Sequence, residues 1–189
     1  MPSHDSDTPS AWIVRFAHLI APGACVLDLA CGRGRHARFF AARGAHVEAV
    51  DRDPELLAAL RDMPGVRTRV ADLESGPWPY AMEKFDAVIV TNYLHRPLFP
   101  LLLNAVADGG VLVYETFGAG NEHFGKPSNP AFLLQPGELL HRCAPPLHVL
   151  AYEDGVSAAP ARVQRLCALR MTLADPEKLL LAPNAAASA

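Results

Sequence analysis

The chain has 189 residues, half of them hydrophobic and a fifth charged, which is typical of one globular domain. Its formal net charge of −3 argues against a broad nucleic-acid-binding surface, because such surfaces are basic. The four cysteines form no C-x-x-C pair and the eight histidines show no metal-binding spacing, so we expect reduced thiols, no metal centre and a cytoplasmic location. No apolar run approaches the roughly eighteen residues that cross a bilayer, so we expect no membrane partner.

Residues 1–189 are interpreted as one domain with three parts: an N-terminal helix over about 9–20, a core over about 24–172 and a tail over 175–189. Thr8 and Pro9 have the residue types of an N-cap and of a first helical position. Trp12 and Phe16 lie four positions apart, which places them on one apolar helix face. The tail has no apolar face, so we expect it to be flexible.

The most informative stretch is VLDLACGRGRH, residues 26–36. Its first five residues form an apolar run that predicts a buried parallel strand. Gly32 and Gly34 follow in a predicted tight loop, and residues 35–43 predict a helix. A strand, a glycine loop and a helix in this order bring backbone N–H groups close to a ligand, because glycine has no Cβ to block the approach.

Asp28 is the unusual residue of this stretch, because a carboxylate inside a buried strand costs several kcal/mol unless it has a partner. One interpretation is a structural acid that accepts hydrogen bonds from loop amides. The other is a partner for a cationic ligand bound above the loop. The residue type leaves both interpretations open.

A second strand is predicted over 46–51, where the sequence alternates and then becomes apolar. It ends in Asp51, whose carboxylate can accept both ribose hydroxyls of an adenosine group, as an acid at this place does in dinucleotide-binding folds. Arg52 follows directly, and we include it with Asp51 among the candidate cofactor-binding residues. Asp53 and Pro54 then predict the start of a helix.

The third and fourth strands are predicted over 66–70 and 87–92. Asn92 ends the fourth strand, and His95 and Arg96 follow it closely. Open α/β sheets bind ligands at the carboxyl ends of their strands, so we expect these side chains near the reacting group. His95 is a candidate general base, and Arg96 is a candidate bidentate partner for an anionic substrate.

The segment 117–134 is rich in glycine and proline, and a loop of this length in a compact domain is usually functional. We interpret it as a substrate lid that carries His123 as a second candidate base, and a packing loop is the alternative. The elements predicted around it are a helix over 97–107, a fifth strand over 111–116, a helix over 136–143, and two antiparallel strands over 147–152 and 161–171 joined at 153–155.

The run VLDLACGRG resembles the first motif of class I S-adenosylmethionine-dependent methyltransferases, and the resemblance extends over about 11–171. It implies a Rossmann-like, doubly wound α/β fold whose seven-stranded sheet is mostly parallel with an antiparallel C-terminal strand. It also implies S-adenosylmethionine as cofactor, whose positive charge suits the acid in the first strand. The cofactor-binding residues expected from the motifs and strand ends are Asp28, Ala30, Gly32, Gly34, Asp51, Arg52, Asp72, Leu73 and Asn92.

The roles of Asp72 and Leu73 come from the resemblance. In the family, the residue at the place of Asp72 accepts the adenine amino group, and the amide of the next residue meets a ring nitrogen. A turn-forming aspartate is the alternative for Asp72. After the fourth strand, the sequence Asn-Tyr-Leu-His departs from the Asn/Asp-Pro-Pro-Tyr/Phe signature of enzymes that methylate exocyclic amines of DNA bases or glutamine amides, which disfavours that activity.

Together these features predict a methyltransferase (EC 2.1.1.-) that acts on a small-molecule acceptor by direct displacement. The loop after the fifth strand and the compact size resemble the tellurite-resistance TehB-like group, whose members methylate small oxyanions or soft nucleophiles. Two alternatives stay open. The glycine spacing also fits an NAD(P)-binding oxidoreductase, and an S-adenosylmethionine-binding module can act without catalysis. The residues specify no oligomeric state.

Overall fold

The computed structural model describes residues 7–171, and the expectations for the tail over 175–189 lie outside these residues. Its strands are β1 Cys25–Leu29, β2 His46–Asp51, β3 Val66–Val70, β4 Phe85–Thr91, β5 Val106–Phe117, β6 His148–Val156 and β7 Arg162–Leu169. They form one seven-stranded sheet in the order β3-β2-β1-β4-β5-β7-β6. Strands β1 to β5 pair in parallel, and β7 is antiparallel to both β5 and β6. This confirms the predicted sheet.

Helices cover both faces of the sheet. They are α1 Ala11–Phe16, α2 Arg35–Ala41, α3 Pro54–Leu57, α4 Phe99–Ala105 and α5 Glu138–Cys143. Helices α1 to α3 contribute to one buried apolar cluster and α4 and α5 to the other, with alternate residues of β1 and β4 pointing into each. Burial on both faces explains why these strands are apolar at almost every position. Within the described chain, every helix is too short or too polar to span a membrane.

Helix α1 begins later than the sequence indicated, because Ser10 is its N-cap and not Thr8. The Ser10 hydroxyl oxygen accepts a hydrogen bond from the Trp12 amide at 3.1 Å and donates one to Oε1 of Glu115 at 2.8 Å. This second bond ties the start of the helix to β5. Ser10 is therefore stabilised as the N-cap by Glu115, a contact that the local sequence does not reveal.

The predicted helix over 97–107 is too long at its C-terminal end. Helix α4 ends at Ala105, and β5 starts at Val106 and passes through an irregular pairing with β4. In this irregular part, the Gly109 amide donates to the Arg170 carbonyl and the Arg170 amide donates to the Gly110 carbonyl. Gly109 and Gly110 therefore continue the sheet.

The turn between the last two strands was also predicted too early. Strand β6 continues to Val156, and the connection to β7 lies over 157–161. Glu153 stands opposite Arg165 across the ladder, with Arg165 Nη1 3.3 Å from Glu153 Oε2, and Asp154 pairs with Arg162. These cross-strand ion pairs keep an acidic segment with turn-like residues in the strand.

The sheet places the carboxyl ends of its central strands together. Strand β1 lies between β2 and β4, so the chain winds outward from β1 in both directions. Open α/β sheets bind their ligands in the crevice that this reversal of strand order creates. The candidate site lies there.

Candidate functional site

A cleft of about 250 Å³ opens at the carboxyl ends of β1 to β4. It is lined by Ala30, Asp51, Arg52, Ala71, Asp72, Leu73, Glu74, Asn92 and Tyr93. Six of the nine residues that the sequence predicted for cofactor binding are in this set. The other three, Asp28, Gly32 and Gly34, lie outside the lining, in β1 and the glycine loop.

Asp51 connects the glycine loop to the start of α3. Its Oδ2 accepts a hydrogen bond from the Gly32 amide at 2.8 Å, and its Oδ1 accepts one from the Asp53 amide at 3.0 Å. A carboxylate has about four acceptor positions, so both oxygens keep capacity for a ligand hydroxyl. The side chain is therefore held in place before any ligand arrives.

Asp72 shapes the next loop of the cleft. Its Oδ1 accepts hydrogen bonds from the amides of Glu74 at 2.9 Å and Ser75 at 3.2 Å. These bonds lower the pKa of Asp72, because they stabilise the charged form. The turn-forming role considered for this residue is present, and its place in the cleft leaves the predicted contact with adenine compatible with the geometry.

Two residues other than glycine adopt left-handed backbone conformations at the rim of the cleft. Ala30 follows β1 with φ of 51°, and Asn92 follows β4 with φ of 55°. Such conformations cost an L-residue about 1 kcal/mol or more and concentrate at functional sites. The Asn92 amide also donates to the Glu115 carbonyl at 2.9 Å, which holds the end of β4 against β5.

Asp28 lies beneath the glycine loop and is almost completely buried. Burial raises its pKa from 3.8 to about 7, although a hydrogen bond from the Ala37 amide and the charge of Arg35 act in the opposite direction. Its Oδ2 has no hydrogen-bond partner among the described residues. A purely structural role therefore accounts for only one oxygen of the Asp28 carboxylate, because the other oxygen has no hydrogen-bond partner.

A second, larger groove of about 470 Å³ adjoins the cleft. Its lining residues are Asn92, Phe117, Lys126, Pro127, Ser128, Asn129 and Phe132. Most of them belong to the segment 117–134, which the sequence predicted to cover a substrate. Asn92 lines both cavities, so the groove meets the cleft at the end of β4.

Arg96, which the sequence predicted as a partner for an anionic substrate, is bound to groups of the protein itself. Its Nε and Nη2 donate to the two carboxylate oxygens of Glu138, each at 2.8 Å. The remaining donors reach the carbonyls of Ala131 at 2.8 Å and Leu133 at 2.9 Å. Arg96 has the predicted bidentate geometry, but its partner is a carboxylate of the protein, and it anchors the loop beside the groove.

The two candidate bases lie outside both cavities. His95 is half-buried just before a short 3₁₀ turn, and His123 is exposed in another 3₁₀ turn of the segment 117–134. Neither side chain is in the lining of the cleft or the groove. Within the described residues, no cluster of histidine, cysteine, aspartate or glutamate has the arrangement of a metal site.

Apart from Asn92, the six residues that line the groove were not predicted individually: Phe117, Lys126, Pro127, Ser128, Asn129 and Phe132. Five of them lie in the irregular loop after β5, where side chains follow no period, so the sequence gives no signal for which of them face the cavity. Glu74 also lines the cleft without having been predicted, although its position two residues after Asp72 was a usable signal.

Comparisons with known proteins agree with this architecture. Residues 26–108 match a protein family described as "Methyltransferase domain". A comparison with curated protein sequences finds no match. The matched segment contains every residue predicted to bind the cofactor, from β1 to the end of β4.

Solved structures show the same fold. TehB from Haemophilus influenzae superposes with a TM-score of 0.71 at 17% identity, over 88% of this chain and 64% of that one. A TehB-like SAM-dependent methyltransferase from Corynebacterium glutamicum gives 0.61 at 20% identity, over 84% and 86%. The 1,6-didemethyltoxoflavin-N1-methyltransferase of Burkholderia thailandensis, solved with S-adenosylhomocysteine, gives 0.63 at 21% identity, over 89% and 80%.

The fold and the matched segment together show what the chain is similar to. Residues 26–108 are similar to a methyltransferase domain, and the chain has the Rossmann-like fold of the S-adenosylmethionine-dependent methyltransferases on which it superposes. It is similar in fold to TehB and a TehB-like enzyme, and it spans about two thirds of the length of the Haemophilus protein.

Proposed function

We propose that the protein transfers a methyl group from S-adenosylmethionine to a small-molecule acceptor by direct displacement at the sulfonium. The observation that carries this proposal is the cleft in which Asp51 ends β2 and Asp72 follows the adjacent parallel strand β3. Carboxylates at these two places can accept hydrogen bonds from the ribose hydroxyls and from the adenine amino group. Both lie within the segment that matches the methyltransferase domain.

The remaining lining of the cleft supports binding of the adenosine half. The amide of Leu73 can donate to an adenine ring nitrogen, as the family resemblance implies. The other lining residues that we assign to the cofactor are Ala30, Arg52 and Asn92.

The methionine half fits beside the glycine loop. Gly32 has a left-handed backbone, and a Cβ there would meet no protein atom within 4 Å, so space is open above it. Asp28 beneath the loop has an unpaired carboxylate oxygen and a pKa of about 7. A cationic ligand nearby favours the ionised form of such an acid, and the acid in turn favours the cation. Gly34 acts indirectly, by allowing the loop to pack closely against α3 and its 3₁₀ extension.

S-adenosylmethionine would supply an electrophilic methyl group, which the acceptor's lone pair takes while the electrons of the broken carbon–sulfur bond stay on sulfur. The chain's part is to align the two reactants and to exclude water, which can provide most of the rate acceleration. A base is needed only for an acceptor that arrives protonated. His95 and His123 are our candidates for that base.

Calorimetric titration tests the proposal directly. Wild type and Asp51→Ala are titrated with S-adenosylmethionine, S-adenosylhomocysteine and NADH. Micromolar binding of the first two that is lost in the variant supports the proposal. Asp51→Asn serves as a second variant, because it keeps an acceptor for the Gly32 amide if Asp51→Ala fails to fold. Heat with NADH alone supports the oxidoreductase instead, and cofactor binding without turnover on any acceptor supports the non-catalytic module.

A cytoplasmic location, the absence of a nucleic-acid partner and the small-molecule nature of the acceptor are parts of the same proposal. The thiols of Cys25, Cys31, Cys143 and Cys167 are all free, which suits a reducing compartment. The net charge of −3 argues against a broad basic surface for a polyanion. Cell fractionation and a gel-shift assay with mixed oligonucleotides test the first two parts.

A further inference from the structure

The groove beside the cofactor cleft has the features of a specific acceptor site. It shares Asn92 with the cleft, so a molecule in the groove lies against the place where the cofactor would be bound. The left-handed backbone of Asn92 shapes this junction. The chemistry of the groove therefore bears on the acceptor and not on the cofactor.

Aromatic rings form two walls of the groove. Phe117 is rooted in β5 and buried, whereas Phe132 leaves 48% of its surface exposed. The ring of Pro127 adds a third apolar surface. A ligand with an apolar ring would cover these surfaces, and ring-on-ring packing contributes about 0.5–1.5 kcal/mol beyond the burial of area.

Lys126 is the only charged residue among those that line the groove. Within the described part of the chain, its ammonium group takes part in no ion pair. A lysine in this position can lay its methylene stem along apolar surface and present its charge to an anion. The groove thus combines apolar walls with one positive charge that has no carboxylate partner.

Hydrogen bonds from the rest of the protein fix the loop that lines the groove. The buried Asn121 donates to the Pro127 carbonyl at 3.0 Å and accepts from the Arg162 amide at 3.1 Å. Arg96 holds the carbonyls of Ala131 and Leu133 on the other side of Phe132. A preformed site lowers the entropy cost of binding, which favours a rigid ligand of matching shape.

We propose that this groove binds the methyl acceptor, and that the acceptor is a small molecule with an apolar, ring-sized body and an anionic group that pairs with Lys126. This inference rests on the proposed function and adds the substrate class. A bare inorganic oxyanion would pair with Lys126 but leave the walls formed by Phe117, Pro127 and Phe132 uncovered, so it would gain little from most of the groove.

Calorimetry on the protein saturated with S-adenosylhomocysteine provides the test. The probes are indole-3-propionate, its neutral analogue indole-3-propionamide, and tellurite. We expect the propionate to bind about fivefold more tightly than the propionamide, because a partly exposed ion pair contributes up to about 1 kcal/mol. Tellurite should bind more weakly than both.

Two variants and two matched controls assign any binding to the groove. Lys126→Met keeps the apolar stem and should abolish the preference for the propionate, whereas Arg61→Gln, at an exposed cation elsewhere, should preserve it. Phe132→Ala should weaken both indole probes by about tenfold. Phe124→Ala should leave them unchanged, because Phe124 is 47% exposed in the same segment but does not line the groove.

The possible outcomes separate this inference from the function on which it rests. If S-adenosylhomocysteine itself does not bind, both are overturned. If it binds but tellurite outcompetes the indole probes, or if Lys126→Met leaves the charge preference intact, the substrate class is wrong while the methyltransferase assignment stands. Equal losses in Phe132→Ala and Phe124→Ala would also count against the groove.

Discussion

Gly34 packs directly against Leu60. A Cβ on Gly34 would overlap the side-chain carbons of Leu60, which is fully buried. Gly34→Ala combines this overlap with a left-handed φ of 76°, so we expect the free energy of unfolding to fall by about 2–4 kcal/mol. Urea denaturation at constant pH measures the change.

Gly32→Ala is the matched comparison, because its φ of 57° carries the same backbone strain but its Cβ would meet nothing within 4 Å. We expect a loss of about 1 kcal/mol in stability together with a clear loss of affinity for S-adenosylmethionine. If both variants lose stability equally and keep full cofactor affinity, the space above Gly32 is not used by the ligand.

The buried Asp28 makes stability depend on pH. Its pKa is about 7 in the folded chain and near 3.8 when unfolded, so between these values the folded state binds the extra proton and stability falls as pH rises. From pH 5.5 to 8 this contribution should fall by about 2 kcal/mol. Asp28→Asn should remove that fall and should also weaken cofactor binding at pH 8.

The change due to Asp28 is read as the difference between wild type and Asp28→Asn. His36 gives the opposite slope, because burial lowers its pKa to about 3 and stability is lost as pH falls below about 6.5. The contribution of His36 is the same in wild type and in Asp28→Asn, so it cancels in the difference between their stabilities. Asp62→Asn, at an exposed left-handed position, should behave like wild type. A parallel pH dependence in wild type and Asp28→Asn would contradict the assignment.

Arg96 should stabilise the groove and leave the cofactor cleft unaffected. Arg96→Met removes two bonds to Glu138 and two to loop carbonyls, so we expect a loss of about 2 kcal/mol and weaker binding of the acceptor at unchanged cofactor affinity. Arg142→Met is the control, because Arg142 donates to Glu138 without reaching the loop. It should cost less and leave acceptor binding intact.

The same ion pair predicts a loss of stability in acid. Burial raises the pKa of Glu138, but hydrogen bonds from Arg96, the Gln135 amide and Arg142 outweigh it and lower the pKa to about 2. The contribution is complete above about pH 4.5 and is lost as the pH falls toward 2. Urea denaturation of wild type and Glu138→Gln at several pH values should show a constant difference in stability above about pH 4.5 that shrinks as the pH falls toward 2.

The candidate bases are distinguished by turnover once an acceptor is known. A general base contributes about 10²–10⁴-fold, so replacing it lowers kcat by at least about a hundredfold without changing cofactor affinity. His95→Gln and His123→Gln are compared on the same acceptor. Neither ring lines the cleft or the groove. An acceptor that arrives unprotonated needs no base, so with such an acceptor we expect kcat of both variants to stay within a few-fold of wild type.

Local sequence predicted the parts of this protein that depend on nearby residues. Apolar runs predicted the parallel strands β1 and β4, an alternating pattern predicted β2, and the glycine loop followed from residues 31–34. The position of Asp51 in the cleft was predictable because the sheet itself brings an acid that ends a parallel strand to the edge where ligands bind. The same regularity predicted the antiparallel strands at the end of the core, although the turn between them was misplaced.

Only the tertiary structure decided how side chains far apart in sequence share the site. Arg96 follows the expected strand end, yet its guanidinium pairs with Glu138, 42 residues away. The two glycines of one motif differ because only Gly34 meets Leu60. Most of the groove is made by an irregular loop, in which no period relates sequence position to the direction of a side chain. Strands and helices repeat their geometry at each residue, so sequence predicts them, whereas contacts between distant segments depend on how the whole chain packs.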